Sequence, residues 1–374
     1  MHDYLNQRGG AERVFRHIAD LYPSAPIYTA LFDRAATGDL VAAARVRTSN
    51  LQRLPGSKRY FRLLAPLYPA AFERFDLSSY DTIVSTTTAW AKGVRFRRDA
   101  VHVCYIHTVS RFAFAYDQYV GGLTGGPRGF LAPLARPIVG GLIAWDREAA
   151  RRPTAFIANS QNVADRVRRY YGREAFVVHC PVDVDRFAVG PGDGDYYLVV
   201  SRLLPYKRVD LAIAAAALAH VRLLVVGAGP ARAALERAAA GTRTEFLGAL
   251  SDEELRAVMG RARAIVLPGE EDYGLVPLEA NASGRPAIAY GRGGALETIV
   301  PGVTGEYFAD ATPTSLAGTL RRFDSGGYDP TLLRSHAESF GPIPFKARFG
   351  ALVDEIVRLG PGARPARSDV AQHR

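Results

Sequence analysis

The chain has 374 residues, enough for two or three domains, and its 48% hydrophobic content is ordinary for a globular protein. No apolar run approaches the roughly 18 residues of a membrane span, the opening Met1-His2-Asp3-Tyr4 lacks the basic and apolar regions of a signal peptide, and two cysteines exclude a disulfide framework. The net charge of +10 admits nucleic acid, a membrane surface or an anionic ligand, but zinc-finger spacing, an aromatic RNA-binding signature and a base-reading helix are all missing, which sets nucleic acid aside. Cys104 and Cys180 sit in apolar, strand-like surroundings and read as buried thiols of a cytosolic protein.

In chain order, His2-Asp3-Tyr4-Leu5 leads to Gly9-Gly10 and a helix with apolar positions at Val14, Ile18 and Leu21. Gly9 and Gly10 permit close backbone approach to a phosphate or an acceptor. The cationic stretch Arg45 to Arg62, interleaved with Leu51, Leu54, Tyr60 and Phe61, reads either as a solvated basic face or as a surface for anionic lipid. A strand from Thr82 to Ser85 precedes a second from His102 to Ile106, which places His107 at the carboxyl end of a strand, followed by Arg111. Residues 121–129 are glycine-rich and read as a loop. A helix over 131–150, a strand from Ala155 to Ala158, and a helix from Val163 to Tyr171 with Ser160 as its N-cap follow. Asp183-Val184-Asp185 is a D-x-D of the kind that can hold a hard cation. Gly190 to Gly194 is flexible by composition and marks a hinge.

Beyond it, the strand Tyr196 to Val200 runs into Ser201-Arg202-Leu203-Leu204-Pro205-Tyr206-Lys207, where a forked and a point cation are placed to grip a diphosphate. The strand Leu223 to Val226 ends in Gly227-Ala228-Gly229, which lacks the third glycine and the acidic residue of a dinucleotide fingerprint. Ala264 to Leu267 reads as a buried parallel strand, so Glu271 lies at the end of the sheet where α/β folds bind ligands. Pro277 suits the first position of the next helix, which puts Glu279 on its first turn and turns the amides around Leu275 to Leu278 outward. Phe345 to Leu359 has helical periodicity, and residues 360–374 read as a disordered tail.

The string E-D-Y-G-L-V-P-L-E-A from Glu271 to Ala280, followed by G-R-P-A-I-A-Y-G-R-G-G-A-L-E-T-I-V, closely resembles the retaining glycosyltransferases of family 4. C-Y-I-H-T around His107, P-V-D-V-D-R-F at 181–187 and R-L-L-P-Y-K at 202–207 extend the resemblance over nearly the whole chain. It implies an α/β GT-B fold of two Rossmann-like domains facing across a cleft, with the acceptor side at 1–188, the donor side at 189–342, and a helix at 343–359 returning to the first domain. In that family H-D-Y-L follows an apolar strand, so most of a first strand is expected to be missing here.

The resemblance also implies roles. His107 and Glu271 are the catalytic candidates. Arg202, Lys207, Gly248, Gly274, Leu275, Val276 and Glu279 are the donor-binding ones, with Glu271 on the hexose, Glu279 on the ribose and backbone near Gly248 beside the base. Gly9, Gly10 and Arg111 belong to the acceptor side, together with Tyr116 and Asp117. The D-x-D falls in the family's interdomain segment and is structural, so no metal and no other cofactor is expected. The mannosyltransferase-like branch is the nearest in appearance, giving GDP-mannose as donor and a UDP-hexose as the alternative, with a sugar, lipid-linked or small-molecule acceptor. A nucleotide-sugar 2-epimerase or a silent sugar-nucleotide-binding partner would share the fold. The expected location is cytoplasmic, with peripheral contact at the inner face of an anionic membrane.

Overall fold

The computed structural model describes residues 1–110 and 132–360, with side chains of the second range described from Pro137 on. Arg111, Tyr116, Asp117, the glycine-rich run and the tail from 361 lie outside the described residues. The chain divides into two compact units, Met1–His179 joined by the residues from Phe345 onward, and Cys180–Pro344. The D-x-D segment thus belongs to the second unit.

In the first unit, β1 (Ile27–Thr29) pairs with β2 (Val46–Thr48), while β3 (Thr82–Thr87), β4 (Val101–Ile106), β5 (Ala155–Ala158) and β6 (Ala175–Val177) form a parallel set in that order. His2 makes parallel bridges to both Thr29 and Thr86, and Leu5 bridges Phe32, so the opening residues join the two sets. The short segment expected from the H-D-Y-L motif occupies the middle of the sheet. β4 is buried along its whole length, as a strand covered on both faces must be.

Asp3 follows directly in that central segment and is buried. Its carboxylate accepts six hydrogen bonds: from the Thr87 hydroxyl at 2.9 Å, the Thr88 amide at 2.7 Å and hydroxyl at 2.9 Å, and the amides of Ala89 at 3.0 Å, Trp90 at 3.0 Å and Ala91 at 2.7 Å. Burial works to raise its pKa, but neighbouring His2 and these donors outweigh it and hold the carboxyl below the usual range. The chain after β3 is therefore wrapped around a single anion.

The second unit has one six-stranded sheet: β7 (Tyr196–Val200), β8 (Arg222–Val226), β9 (Thr244–Gly248), β10 (Ala264–Leu267), β11 (Ala287–Tyr290) and β12 (Gly305–Phe308). Every pair is parallel and the order is β12-β11-β10-β7-β8-β9. This is the doubly wound order, with its reversal between β7 and β10. The helices Val209–Ala219 and Pro313–Arg322 cover one face, packing Leu211, Ile213, Leu316 and Leu320 against Tyr197, Val199, Val225 and Val266.

Several expectations shift. The helix after β10 starts at Leu275 rather than Pro277, because Gly274 (φ +90°) supplies the left-handed turn that begins it. Pro277 is then its third residue and Glu279 stands on the second turn. Gly190 to Gly194 is no free hinge: the amides of Gly190, Gly192 and Gly194 donate to the carbonyls of Ser283, Gly260 and Arg261 at 3.1, 3.0 and 2.8 Å. A Cβ on Gly190 would meet the Gly260 carbonyl oxygen at 2.3 Å, so the glycines serve close packing rather than slack. Ser160 caps its helix as expected, accepting from the Val163 amide at 3.0 Å, although the helix already begins at Gln161. The carboxyl-terminal helix spans Pro342–Leu359, and Phe345 and Phe349 lie edge-on to Tyr105 at 6.0 and 5.7 Å between ring centroids.

Two outcomes follow from the first unit's interior. Asp3→Ala leaves the amides of Thr88, Trp90 and Ala91 without an acceptor, and urea unfolding should lose at least about 3 kcal/mol; a loss below about 1 kcal/mol would mean that water replaces the carboxylate. His102 and His107 are buried, which pushes their pKa values down from 6.5 to about 3 and about 4. The unfolded chain takes up protons below about pH 6.5 that the folded chain refuses, so the stabilisation is complete above that value and is lost as pH falls toward 4. Melting temperature should drop over that window. His102→Gln, which can still hydrogen-bond Ser85, should flatten the drop, and an unaltered profile would exclude His102 as a contributor.

Candidate active site

In the second unit the loops after β7 and β10 flank the reversal of strand order, and they are tied together there. Lys207 Nζ donates to both carboxylate oxygens of Glu271, at 2.5 Å to Oε2, with 16% and 19% of the two side chains exposed. Lys207 ends a 3-10 turn, Pro205–Lys207, whose exit through Arg208 (φ 52°) into the helix Val209–Ala219 sets the direction of the lysine. Gly269 lets the two loops close up, since a Cβ there would meet the Tyr206 carbonyl oxygen at 2.8 Å. The loop after β11 joins them: Glu271 bridges Gly293, and the Gly294 amide donates to the Glu271 carbonyl at 2.9 Å.

Around this pair stand the other residues singled out in the sequence. Leu275 and Val276 open the helix Leu275–Ala282, whose N-cap, Gly274, has no side chain to cap it. That leaves the positive end of the helix directed at the same carboxyl edge of the sheet. Glu279 is half-buried on the second turn. Arg202 is exposed on the β7 loop and forms no ion pair among the described residues. Gly248 ends β9 in a left-handed conformation (φ +73°), and its carbonyl accepts from the Gly227 amide at 2.7 Å. Arg202, Lys207, Glu271 and the Leu275 amide end are thus gathered at one edge, with Gly248 two strands away from β7 across β8.

The D-x-D does not form a carboxylate cluster. Arg334 Nη1 donates to the carbonyls of Val184, Phe187 and Ala282, fixing the segment, and the Asp185 side chain is 99% exposed. Among the described residues no group of three or more His, Cys, Asp or Glu is arranged to hold a metal.

In the first unit His107 immediately follows β4, its amide donating to the Thr87 carbonyl at 2.9 Å. Its ring lies edge-on to Tyr105 at 5.2 Å, and the buried Nε2 has no hydrogen-bond partner among the described residues. Burial depresses its pKa to about 4 and the nearby Asp3 charge opposes this only in part, so the imidazole is neutral near pH 7. A neutral ring with an unsatisfied nitrogen can donate or accept one hydrogen bond. Gly9 is the N-cap of the helix Gly10–Leu21, but the room it provides is taken: a Cβ there would sit 2.6 Å from Glu12 Oε2. Glu12 is buried and also accepts from Gln7 Nε2 at 3.2 Å.

Two features of this half carry no mark in the sequence. Asp3 was visible only as a letter of the H-D-Y-L string. Lys92 and Asp146 form a buried ion pair at 2.5 Å, 54 residues apart, and Asp146 also accepts from Ser110 Oγ at 2.5 Å and Tyr171 OH at 2.8 Å. Burial disfavours the Lys92 charge, yet Asp146 outweighs it and keeps the ammonium charged. Nothing in local patterning could signal such a partner.

Comparison with known proteins matches both parts of the chain. Residues 8–186 match the sequence model described as Glycosyltransferase Family 4, and residues 183–337 match that of Glycosyl transferases group 1. The GDP-mannose-dependent alpha-(1-6)-phosphatidylinositol monomannoside mannosyltransferase of Mycolicibacterium smegmatis is 32% identical over 228 residues, covering 48% of this chain and 60% of that protein. The D-inositol 3-phosphate glycosyltransferase of Mycobacterium avium is 34% identical over 172 residues, 39% of this chain and 40% of that one. The chain therefore spans less than two thirds of the length of these curated relatives. Among solved structures, sucrose-phosphate synthase of Thermosynechococcus elongatus superposes with a TM-score of 0.69 at 17% identity, covering 96% of each chain. HepE of Anabaena, solved with UDP-glucose, gives 0.66 at 19%, covering 95% of this chain and 99% of its own. With family models spanning residues 8–337 between them and a doubly wound sheet order in the second unit, the chain belongs to the family 4 glycosyltransferases of GT-B fold.

Proposed function

We propose that the protein moves a hexose from a nucleotide sugar, GDP-mannose first among donors, to a hydroxyl of a sugar, lipid-linked or small-molecule acceptor, with retention of configuration and without a metal. The observation that carries the reading is the Lys207–Glu271 pair at the strand-order reversal, which sets a cation suited to a diphosphate beside a carboxylate suited to sugar hydroxyls. The choice of mannose rests on the Mycolicibacterium relative, GDP-mannose-dependent by name.

In this reading Arg202, Lys207 and the Leu275 and Val276 amides take the diphosphate. Charge-assisted hydrogen bonds of this kind contribute about 1.5–3 kcal/mol each and strengthen as charge develops on the leaving group. Glu271 holds hexose hydroxyls, Glu279 the ribose, and the backbone near Gly248 the base. The bond from the anomeric carbon to the diphosphate oxygen breaks while the acceptor oxygen bonds to the same face. The acceptor's proton passes to the departing phosphate oxygen. Neutral His107 hydrogen-bonds the sugar near its anomeric carbon. A double displacement would need a carboxylate nucleophile, with a second carboxylate about 5 to 5.5 Å from it, and no residue here is assigned that part.

Nucleoside diphosphate release across a donor panel tests the assignment: GDP-mannose should turn over fastest, and faster release from UDP-glucose would overturn the mannose claim. Isomerised donor formed with no acceptor present would replace transfer by epimerisation. Glu279→Ala should raise the donor KM about tenfold with little change in kcat, as loss of uniform binding does. His107→Ala should instead lower kcat on the order of 100-fold. Unchanged kinetics in either variant removes that residue's role.

A further inference from the structure

Residues 40–72 contain six cations, Arg45, Arg47, Arg53, Lys58, Arg59 and Arg62, and no acidic residue. Arg47 is exposed and donates to the carbonyls of Ala44 and Val46; the structure separates the other five into two groups. Arg45 is consumed inside the fold, donating to the carbonyls of Ala19, Tyr22 and Ala25, and Lys58 lies 3.6 Å from Asp33. Arg53, Arg59 and Arg62 are exposed and meet no carboxylate among the described residues. Two of them lie along aromatic rings, Arg59 at 5.5 Å from the Tyr60 centroid and Arg62 at 4.6 Å from Phe61.

The same segment exposes apolar side chains in an unusual density. Consecutive tight turns run from the 3-10 helix Asn50–Arg53 to the 3-10 helix Phe61–Leu67. On the second of these, Phe61, Leu64, Ala65 and the following Tyr68 face the core cluster. The opposite side carries Arg62, Leu63, Pro66 and Leu67, with Leu63 76% and Leu67 47% exposed. Tyr60 is 53% and Leu54 41% exposed nearby. A helix apolar on both sides has one side unaccounted for when only one packs inward. Exposed leucine and tyrosine set among unpaired arginines fit a surface that is apolar beneath and anionic at its rim.

We infer that the face formed by Arg53, Leu54, Arg59, Tyr60, Arg62, Leu63 and Leu67 docks on an anionic lipid bilayer, its leucines entering the acyl boundary and its arginines engaging lipid phosphates. Charge complementarity selects the occupant: a nucleic acid would use the arginines but leave the leucines in water, and a neutral bilayer would leave the arginines unpaired. The docking is independent of the transfer reaction, since none of these residues belongs to the site above.

The test is sedimentation of the full chain with vesicles of phosphatidylcholine containing about one third phosphatidylglycerol, against phosphatidylcholine alone. The chain should bind the anionic vesicles and be released by high salt, as screening requires. The variant R59S with R62S should weaken partitioning about 25-fold, about fivefold per cation near the surface. L63S should weaken it about tenfold. R237S with R243S, which removes two exposed cations from the other unit, should stay within about twofold of the parent. Equal binding to neutral vesicles, an equal loss in that control, or retention on DNA without partition to vesicles would each overturn the proposal.

Discussion

A buried carboxylate held by a ring of main-chain amides and hydroxyls governs the first unit. Asp3 is stabilised not by a lysine or arginine but by successive amides and hydroxyls of residues 87–91, a concave arrangement of donors of the kind that binds free anions elsewhere. The constraint is strict, because the chain must turn on itself at the end of β3 to bring those amides to one point. It does so beside the end of β4, whose next residue is His107. The position of that histidine therefore depends on a residue more than a hundred positions earlier, while its neutral state is set by burial against the opposing charge of Asp3. The Lys92–Asp146 pair secures the same region from beneath, with Ser110 bound to the shared carboxylate.

The second unit reaches a comparable order by different means. There the carboxyl-end loops are drawn together by glycines that tolerate main-chain contact: Gly269 against Tyr206, and Gly294 against Tyr273, where a Cβ would meet the Tyr273 Cα at 2.3 Å. Only then can Lys207 and Glu271, 64 residues apart in sequence, share two hydrogen bonds. The glycines of the G-R-G-G string belong to this packing as much as to any ligand.

What could be read from the sequence followed the range of the forces concerned. The buried strands Ala155–Ala158, Tyr196–Val200 and Ala264–Leu267 were legible because the sheet is covered on both faces there and the chain is continuously apolar. The strands Ile27–Thr29 and Val46–Thr48 are three residues each, too short to establish a period, and went unread. The extent of Leu275–Ala282 was misjudged because proline's preference for the first turn was weighed above the left-handed glycine that begins it. Glycine content suggested a hinge at 190–194 because composition reports freedom and is silent about the partner that removes it. The candidate site was legible as a string, E-x7-E with R-x4-K, but the pairing of Lys207 with Glu271 needed the strand order, and Glu12 over Gly9 needed the coordinates of both.

One consequence concerns the two cysteines. They fall one in each unit, both buried, with the Cys104 thiol pushed up to about 12 by burial and Cys180 enclosed where its carbonyl accepts from Tyr273. Both are shut off from solvent in the native state, so an alkylating reagent meets them only when the surrounding structure opens. Each thiol is thus a built-in gauge of its own half. Labelling rates followed by mass spectrometry would give the opening free energy of the two units separately, within a single unmodified chain.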